Sequence, residues 1–218
     1  AAVLSALQHH AADSQVAVQG LSVLSDLARH EQCRLQLCGA GVVPAVLGVM
    51  RAHPQDPAVQ EAGLRCLALL AAGNSQLQEA IFSAQGIPAV ISAVASAVEG
   101  QQHDEQTAGL VAQGLNLLAN LAAHQECRPQ ILQCQGLEAA LRAMQAFPQD
   151  AGVQEHGLRI LAGLAGFPDA PLRLLQAGAV PAVLAAMRAC PGEPSVQMSG
   201  CYALGTLAGC DDAKVAAL

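Results

Sequence analysis

The chain is 218 residues long, with 53% hydrophobic, 12% charged and only 2% aromatic residues, and its formal net charge is −7. With one lysine and no basic run, it lacks the clustered cations of a nucleic-acid surface, and no stretch of 18 apolar residues runs without a polar interruption, so no transmembrane helix is predicted. Alanine and leucine dominate while β-branched and aromatic runs are missing, which predicts an all-α chain.

The first segment, AAVLSALQHH (1–10), reads as an apolar helix. It has neither an initiator methionine nor a basic n-region, so it is no signal peptide, and it is expected to start inside a larger protein. VAVQGLSVLSDLA (16–28) follows, an amphipathic helix with a glycine near its middle. Glycine in a helix interior costs about 1 kcal/mol against alanine, so its placement calls for a reason. In GVVPAVLGVM (41–50) a glycine and a first-turn proline open an apolar helix. Proline fits there because its missing N–H would have no intrahelical partner. HPQDPAV (53–59) is a polar turn, with Asp56 where an N-cap would start the next helix. That helix, VQEAGLRCLALLA (59–71), repeats the glycine-centred pattern of 16–28.

A short helix, NSQLQEAIFSA (74–84), leads into a second proline-opened one, QGIPAVISAV (85–94). VEGQQHDEQT (98–107) then carries eight extra residues, predicted as a loop, before LVAQGLNLLANLA (110–122). The cycle returns as ECRPQILQC (126–134), QGLEAALRAM (135–144), FPQDAGV (147–153) with Asp150 at the cap, and VQEHGLRILAGLA (153–165). A last round runs through GAVPAVLAAM (178–187), CPGEPSV (190–196) with Glu193 at the cap, and VQMSGCYALGTLA (196–208). DDAKVAAL (211–218) matches the start of another short helix, which predicts further repeats or domains on the same chain.

The marker glycines Gly20, Gly63, Gly114, Gly157 and Gly200 are 43, 51, 43 and 43 residues apart. A period near 43 is the signature of a helical solenoid, in which each unit buries its apolar face on the next. The segment VQEAGLRCLALLAAGNSQLQEAIFSAQGIPAVISAV (59–94) resembles the armadillo repeat family in its third helix, next first helix, Gly-x-x-Pro joint and second helix. Two-helix HEAT repeats lack that joint. The resemblance implies a right-handed α-solenoid of three-helix repeats and a single domain over 1–218. Its repeats would be 1–40 (partial), 41–84, 85–134, 135–177 and 178–218, the last running into the next repeat. The marker glycines hold a place that the family usually gives to alanine. They are expected on the buried side where neighbouring units approach, with Gly157→Ala neutral or stabilising and Gly157→Leu overpacked.

No catalytic signature is present: the chain has no P-loop, no G-x-S-x-G and no H-E-x-x-H. HEQC (30–33) and HQEC (124–127) set His30 near Cys33 and His124 near Cys127. One histidine and one cysteine in each of two distant turns do not complete a tetrahedral site, so neither a metal nor a cofactor is predicted. Arg34 and Arg128 are expected on exposed first helices. The eight cysteines form no C-x-x-C pair and read as buried, reduced thiols, which predicts an intracellular and cytoplasmic protein.

In armadillo proteins the third helices line a concave groove that holds extended peptides. The resemblance places the outward pairs at Ser22/Asp26, Arg65/Leu69, Asn116/Asn120, Arg159/Gly163 and Tyr202/Thr206, each four residues apart on one helix face. The chain has no tryptophan, and only Asn120 matches the asparagine of the family's nuclear-import adaptors. That speaks against recognition of basic import signals. The basic row that catenin-like members offer is also missing. Glu61 precedes Arg65 and Glu155 precedes Arg159 by four residues, which predicts intrahelical ion pairs worth about 0.3–0.5 kcal/mol each.

The expected function is a non-catalytic protein-interaction module or scaffold. It would bind a partner protein or extended peptide through Arg65, Asn116, Asn120, Arg159 and Tyr202, with His103, Asp104 and Glu105 as a loop contact. Nucleic acid, membrane insertion and a small-molecule substrate are not expected. The alternative is a structural segment of a large cytoskeletal or ciliary assembly, or a regulatory solenoid attached to an enzyme outside this chain.

Overall fold

A computed structural model describes residues 2–100, 104–168 and 170–209. Among them are fourteen α-helices and no strand. They cycle through three roles. The first helices are α3 (Glu31–Gly39), α6 (Ser75–Ser83), α9 (Cys127–Gln133) and α12 (Ala170–Gln176). The second are α1 (Ala2–His9), α4 (Val42–Ala52), α7 (Gly86–Glu99), α10 (Gly136–Ala146) and α13 (Ala179–Ala189). The third are α2 (Ser14–Ala28), α5 (Pro57–Ala71), α8 (Glu105–Ala122), α11 (Ala151–Ala165) and α14 (Pro194–Ala208). No single described helix is long and apolar enough to cross a membrane.

The joint between first and second helices is a sharp bend, 78° from α3 to α4, 78° from α6 to α7 and 63° from α12 to α13. The residue before α4, α7, α10 and α13 adopts the left-handed conformation: Gly41, Gln85, Gln135 and Gly178 have φ of 71°, 57°, 63° and 82°. Glycine does this without a Cβ clash, whereas the two glutamines carry a cost of about 1–2 kcal/mol that the packing behind them offsets.

Third helices start on aspartate. The carboxylates of Asp13, Asp56 and Asp150 accept first-turn N–H groups, as from Val153 to Asp150 at 2.8 Å. Glu193 occupies the same place before α14 but makes no side-chain cap bond. Its additional methylene moves the carboxylate away from the cap geometry.

A further device repeats at the junction of second and third helices. The Gln154 Nε2 donates to the Met144 and Phe147 carbonyls at 2.8 and 2.9 Å. Gln60 and Gln197 do the same for Met50 and His53, and for Met187 and Cys190. Each glutamine adds a donor to two carbonyls at the end of a second helix, the later of which also accepts the amide of the next cap residue.

The third helices pack in one continuous row, α2 on α5, α5 on α8, α8 on α11 and α11 on α14. The core runs unbroken from Leu4 to Leu207. The marker glycines correct the sequence expectation. A Cβ on Gly157 would lie 2.5 Å from the Met144 Sδ, and one on Gly63 or Gly200 meets Met50 or Met187 just as closely. Gly20 faces Leu7 and Gly114 faces Val94. The glycine therefore admits a side chain from the second helix of its own unit, and alanine there collides with it.

The inserted stretch also differs from expectation. Its additional residues mostly lengthen the flanking helices: α7 has 14 residues against 11 in α4, α10 and α13, and α8 has 18 against 15 in α5, α11 and α14.

Candidate functional site

The row of third helices presents the predicted pairs on one face, and the structure joins several of them. The Arg159 guanidinium reaches from α11 to α8, donating from Nη2 to the Asn120 Oδ1 at 2.9 Å and from Nη1 to the Asn116 Oδ1 at 3.3 Å. Asn120 in turn donates from Nδ2 to the Ala68 carbonyl of α5 at 3.1 Å. Its own carbonyl accepts from the Gln78 Nε2 at 3.1 Å, and that nitrogen also donates to the Ala71 carbonyl. A polar ladder thus crosses three units, with Asn116, Asn120 and Arg159 all half-buried.

This corrects the predicted Glu155–Arg159 pair. Arg159 turns to the two asparagines, while Glu155 approaches the His156 Nδ1 at 3.9 Å. The two asparagine oxygens on the facing helix are spaced to take both terminal guanidinium nitrogens, Nη1 and Nη2, in the fork geometry that arginine presents. The Glu61–Arg65 pair does form, at 3.8 Å. His156 was not foreseen as part of the site. Burial chiefly holds its imidazole below the ordinary value, against the opposing pull of Glu155. A ring kept neutral at pH 7 with the proton on Nε2 lets Nδ1 accept from the Arg159 Nη1, 3.3 Å away. Its only sequence signal was its place one turn before Arg159.

Tyr202 lies apart from the ladder on α14 and is 66% exposed. Arg65 is half-buried on α5 and, beyond Glu61, has no protein hydrogen-bond partner among the described residues. Of the predicted loop contacts, His103 lies outside the described residues. Asp104 is the N-cap of α8 and accepts from the Thr107 amide at 2.8 Å and hydroxyl at 2.7 Å. The Thr107 hydroxyl and amide hold its carboxyl below the usual carboxylate range. Its role is to start a helix. Glu105 is exposed in the first turn of α8.

Arg34 and Arg128 are half-buried, another departure from expectation. Arg34 Nη1 donates to the Ala28 carbonyl at 2.9 Å and Arg128 Nε to the Ala122 carbonyl at 2.8 Å. They close the C-termini of α2 and α8, where unpaired carbonyls and the helix dipole favour a cation. Among the described residues no group of three or more His, Cys, Asp or Glu side chains could hold a metal ion. Burial pushes the Cys66 thiol up to about 12 and the Cys127 thiol up to about 11. Neither is a nucleophile at neutral pH.

No family model matches the chain, and no curated protein does. Solved structures do. One engineered protein has a TM-score of 0.82 at 20% identity, covering 98% of this chain and 83% of its own. A second engineered protein reaches 0.82 at 23% identity over 99% of this chain, which spans 49% of its length. A designed armadillo repeat protein in complex with the peptide (KR)4 has a TM-score of 0.79 at 15% identity, covering 97% of this chain and 83% of that one. At such identities the likeness carries the fold alone.

Proposed function

On a right-handed, armadillo-like α-solenoid of three-helix units, we propose a non-catalytic scaffold that binds a partner protein or extended peptide along the third-helix face. The observation that carries this reading is the ladder from Ala68 through Asn120 and Asn116 to Arg159. Its members are held in place by one another, and donors remain over. Among the described residues the Asn116 amide nitrogen and the Arg159 Nε have no protein partner. Preorganised donors in a half-buried row suit the carbonyls of an extended backbone, because ordering them adds little entropic cost on binding. Arg65 and the exposed ring of Tyr202 flank the row, and arginine and tyrosine are enriched among residues that dominate binding energy. The designed neighbour bound to a (KR)4 peptide supports peptide binding as a use of this fold. The third-helix face carries Asp26, Glu61 and Glu155 beside Arg65 and Arg159, so its mixed charge suits a largely neutral extended peptide. The seven described cysteines are all free, although, against the sequence expectation, only Cys66, Cys127 and Cys190 are buried; free thiols suit an intracellular, cytoplasmic setting.

Asn120 and Arg159 also tie units together, so their substitution would mix binding with stability. The test is a peptide array probed with the wild-type chain and with an Arg65→Glu, Tyr202→Ala variant, both at outward positions. Expected is selection of largely neutral extended peptides and at least tenfold weaker binding, about 1.4 kcal/mol, in the variant. If the variant keeps every peptide at wild-type affinity, the third-helix face is not the binding surface.

A further inference from the structure

Second helices of neighbouring units pack together at three joints, α1 on α4, α7 on α10 and α10 on α13, whereas α4 and α7 make no comparable contact. Between them opens a cavity of about 770 Å³, inside the range of about 300–1,000 Å³ usual for small-molecule sites. Two of its lining residues, Ala97 and Thr107, belong to the additional residues that make α7 and α8 longer than their counterparts. The cavity thus sits in the one unit whose spacing departs from 43 residues.

Much of its wall is apolar. Leu47, Met50 and Leu110 are buried behind it. Ala89, Ala93 and Ala97 of α7 line it over eight residues of helix, about 12 Å. Arg51 stands at one end. Its Nη2 donates to the carbonyl of Ala84, just before α7, at 3.2 Å, while its Nη1 and Nε have no protein partner among the described residues. No histidine, cysteine or carboxylate lines the cavity among those residues. The acids nearby in the chain are engaged elsewhere: Asp56 caps α5, Asp104 accepts from Thr107, and Glu99 pairs with Arg142 at 3.3 Å. The cavity therefore holds one cation without a counterion, with an apolar wall leading away from it.

We propose that this cavity binds a small amphipathic carboxylate, its head on the open nitrogens of Arg51 and its chain along Ala89, Ala93 and Ala97. The guanidinium offers a carboxylate charge-assisted hydrogen bonds, and removing the chain from water supplies the driving force. With no nucleophile or general base in the wall, the molecule is bound rather than turned over. None of the residues proposed for the partner-binding face lines the cavity, so the two readings stand or fall separately.

Calorimetric titration of the full chain with sodium decanoate tests this, with decane-1,2-diol as the same chain on a neutral head. Expected for decanoate is one saturable site with a Kd below about 200 µM, and for the diol at least fivefold weaker binding. Arg51→Gln, at an exposed position, should weaken decanoate at least fivefold and leave the diol unchanged. Ala93→Leu should abolish binding of both by filling the cavity, and Ala97→Leu, in the last turn of α7, does the same with less demand on the core. Unchanged melting temperatures establish that the variants fold. No saturable site, or uptake of several equivalents, overturns the proposal. So does a diol that binds as tightly as decanoate, or wild-type affinity for decanoate in Arg51→Gln or in a folded cavity-filling variant.

Discussion

Replacing Gly157 with alanine separates two opposed effects whose sizes can be read from the structure. Helix propensity favours alanine by about 1 kcal/mol. Against it, the new Cβ would sit 2.5 Å from the Met144 Sδ and 2.6 Å from its Cγ. Met144 is itself buried in α10 and must leave its rotamer or push the helix pair apart. Overpacking of this kind costs about 1–3 kcal/mol. The expected sum is a loss of about 0–2 kcal/mol in urea unfolding, the reverse of the usual glycine-to-alanine gain. The control is Gly48→Ala in α4, where nothing lies within 4 Å and a gain of about 0.5–1 kcal/mol is expected. The decisive arm is a double-mutant cycle. In a Met144→Ala background the collision is gone, and Gly157→Ala should stabilise by about 1 kcal/mol. The coupling between the two sites is then about 1–3 kcal/mol. Equal stabilisation in both backgrounds would refute the reasoning, because the glycine would then have no packing role.

Gln154→Leu keeps the volume but strips one donor from both the Met144 and Phe147 carbonyls; a loss of about 1–3 kcal/mol in denaturant unfolding is expected. In alkylation followed by mass spectrometry at pH 8, exposed Cys201 should react in the folded state. Cys66 and Cys127, buried and with thiols held up at about 12 and about 11, should react only after denaturant is added.

Much of the fold was legible because its signals are local. The glycine-centred pattern repeats with the helical period, and Asp56 and Asp150 sit one residue before the helices that they cap. The joints were legible too, since a first-turn proline behind a glycine or glutamine is a short-range pattern. The missed features depend on what lies across a helix interface. Arg159 could be placed on an outward face, and a partner four residues away was the obvious local choice. Its actual acceptors, Asn116 and Asn120, are 43 and 39 residues earlier and meet it only once α8 packs on α11. Arg34 and Arg128 were misread for the same reason: each side chain folds back onto a carbonyl of the preceding helix.

The sequence by itself determined that this is an all-α repeat protein and which face of each helix is buried, because a helix's period sets the faces before any packing occurs. Only the tertiary structure decided which neighbour each face meets. Met144 comes to lie over Gly157 and Arg159 between two asparagines because interaxial distance and superhelical register bring them together, and those emerge from packing all the units at once.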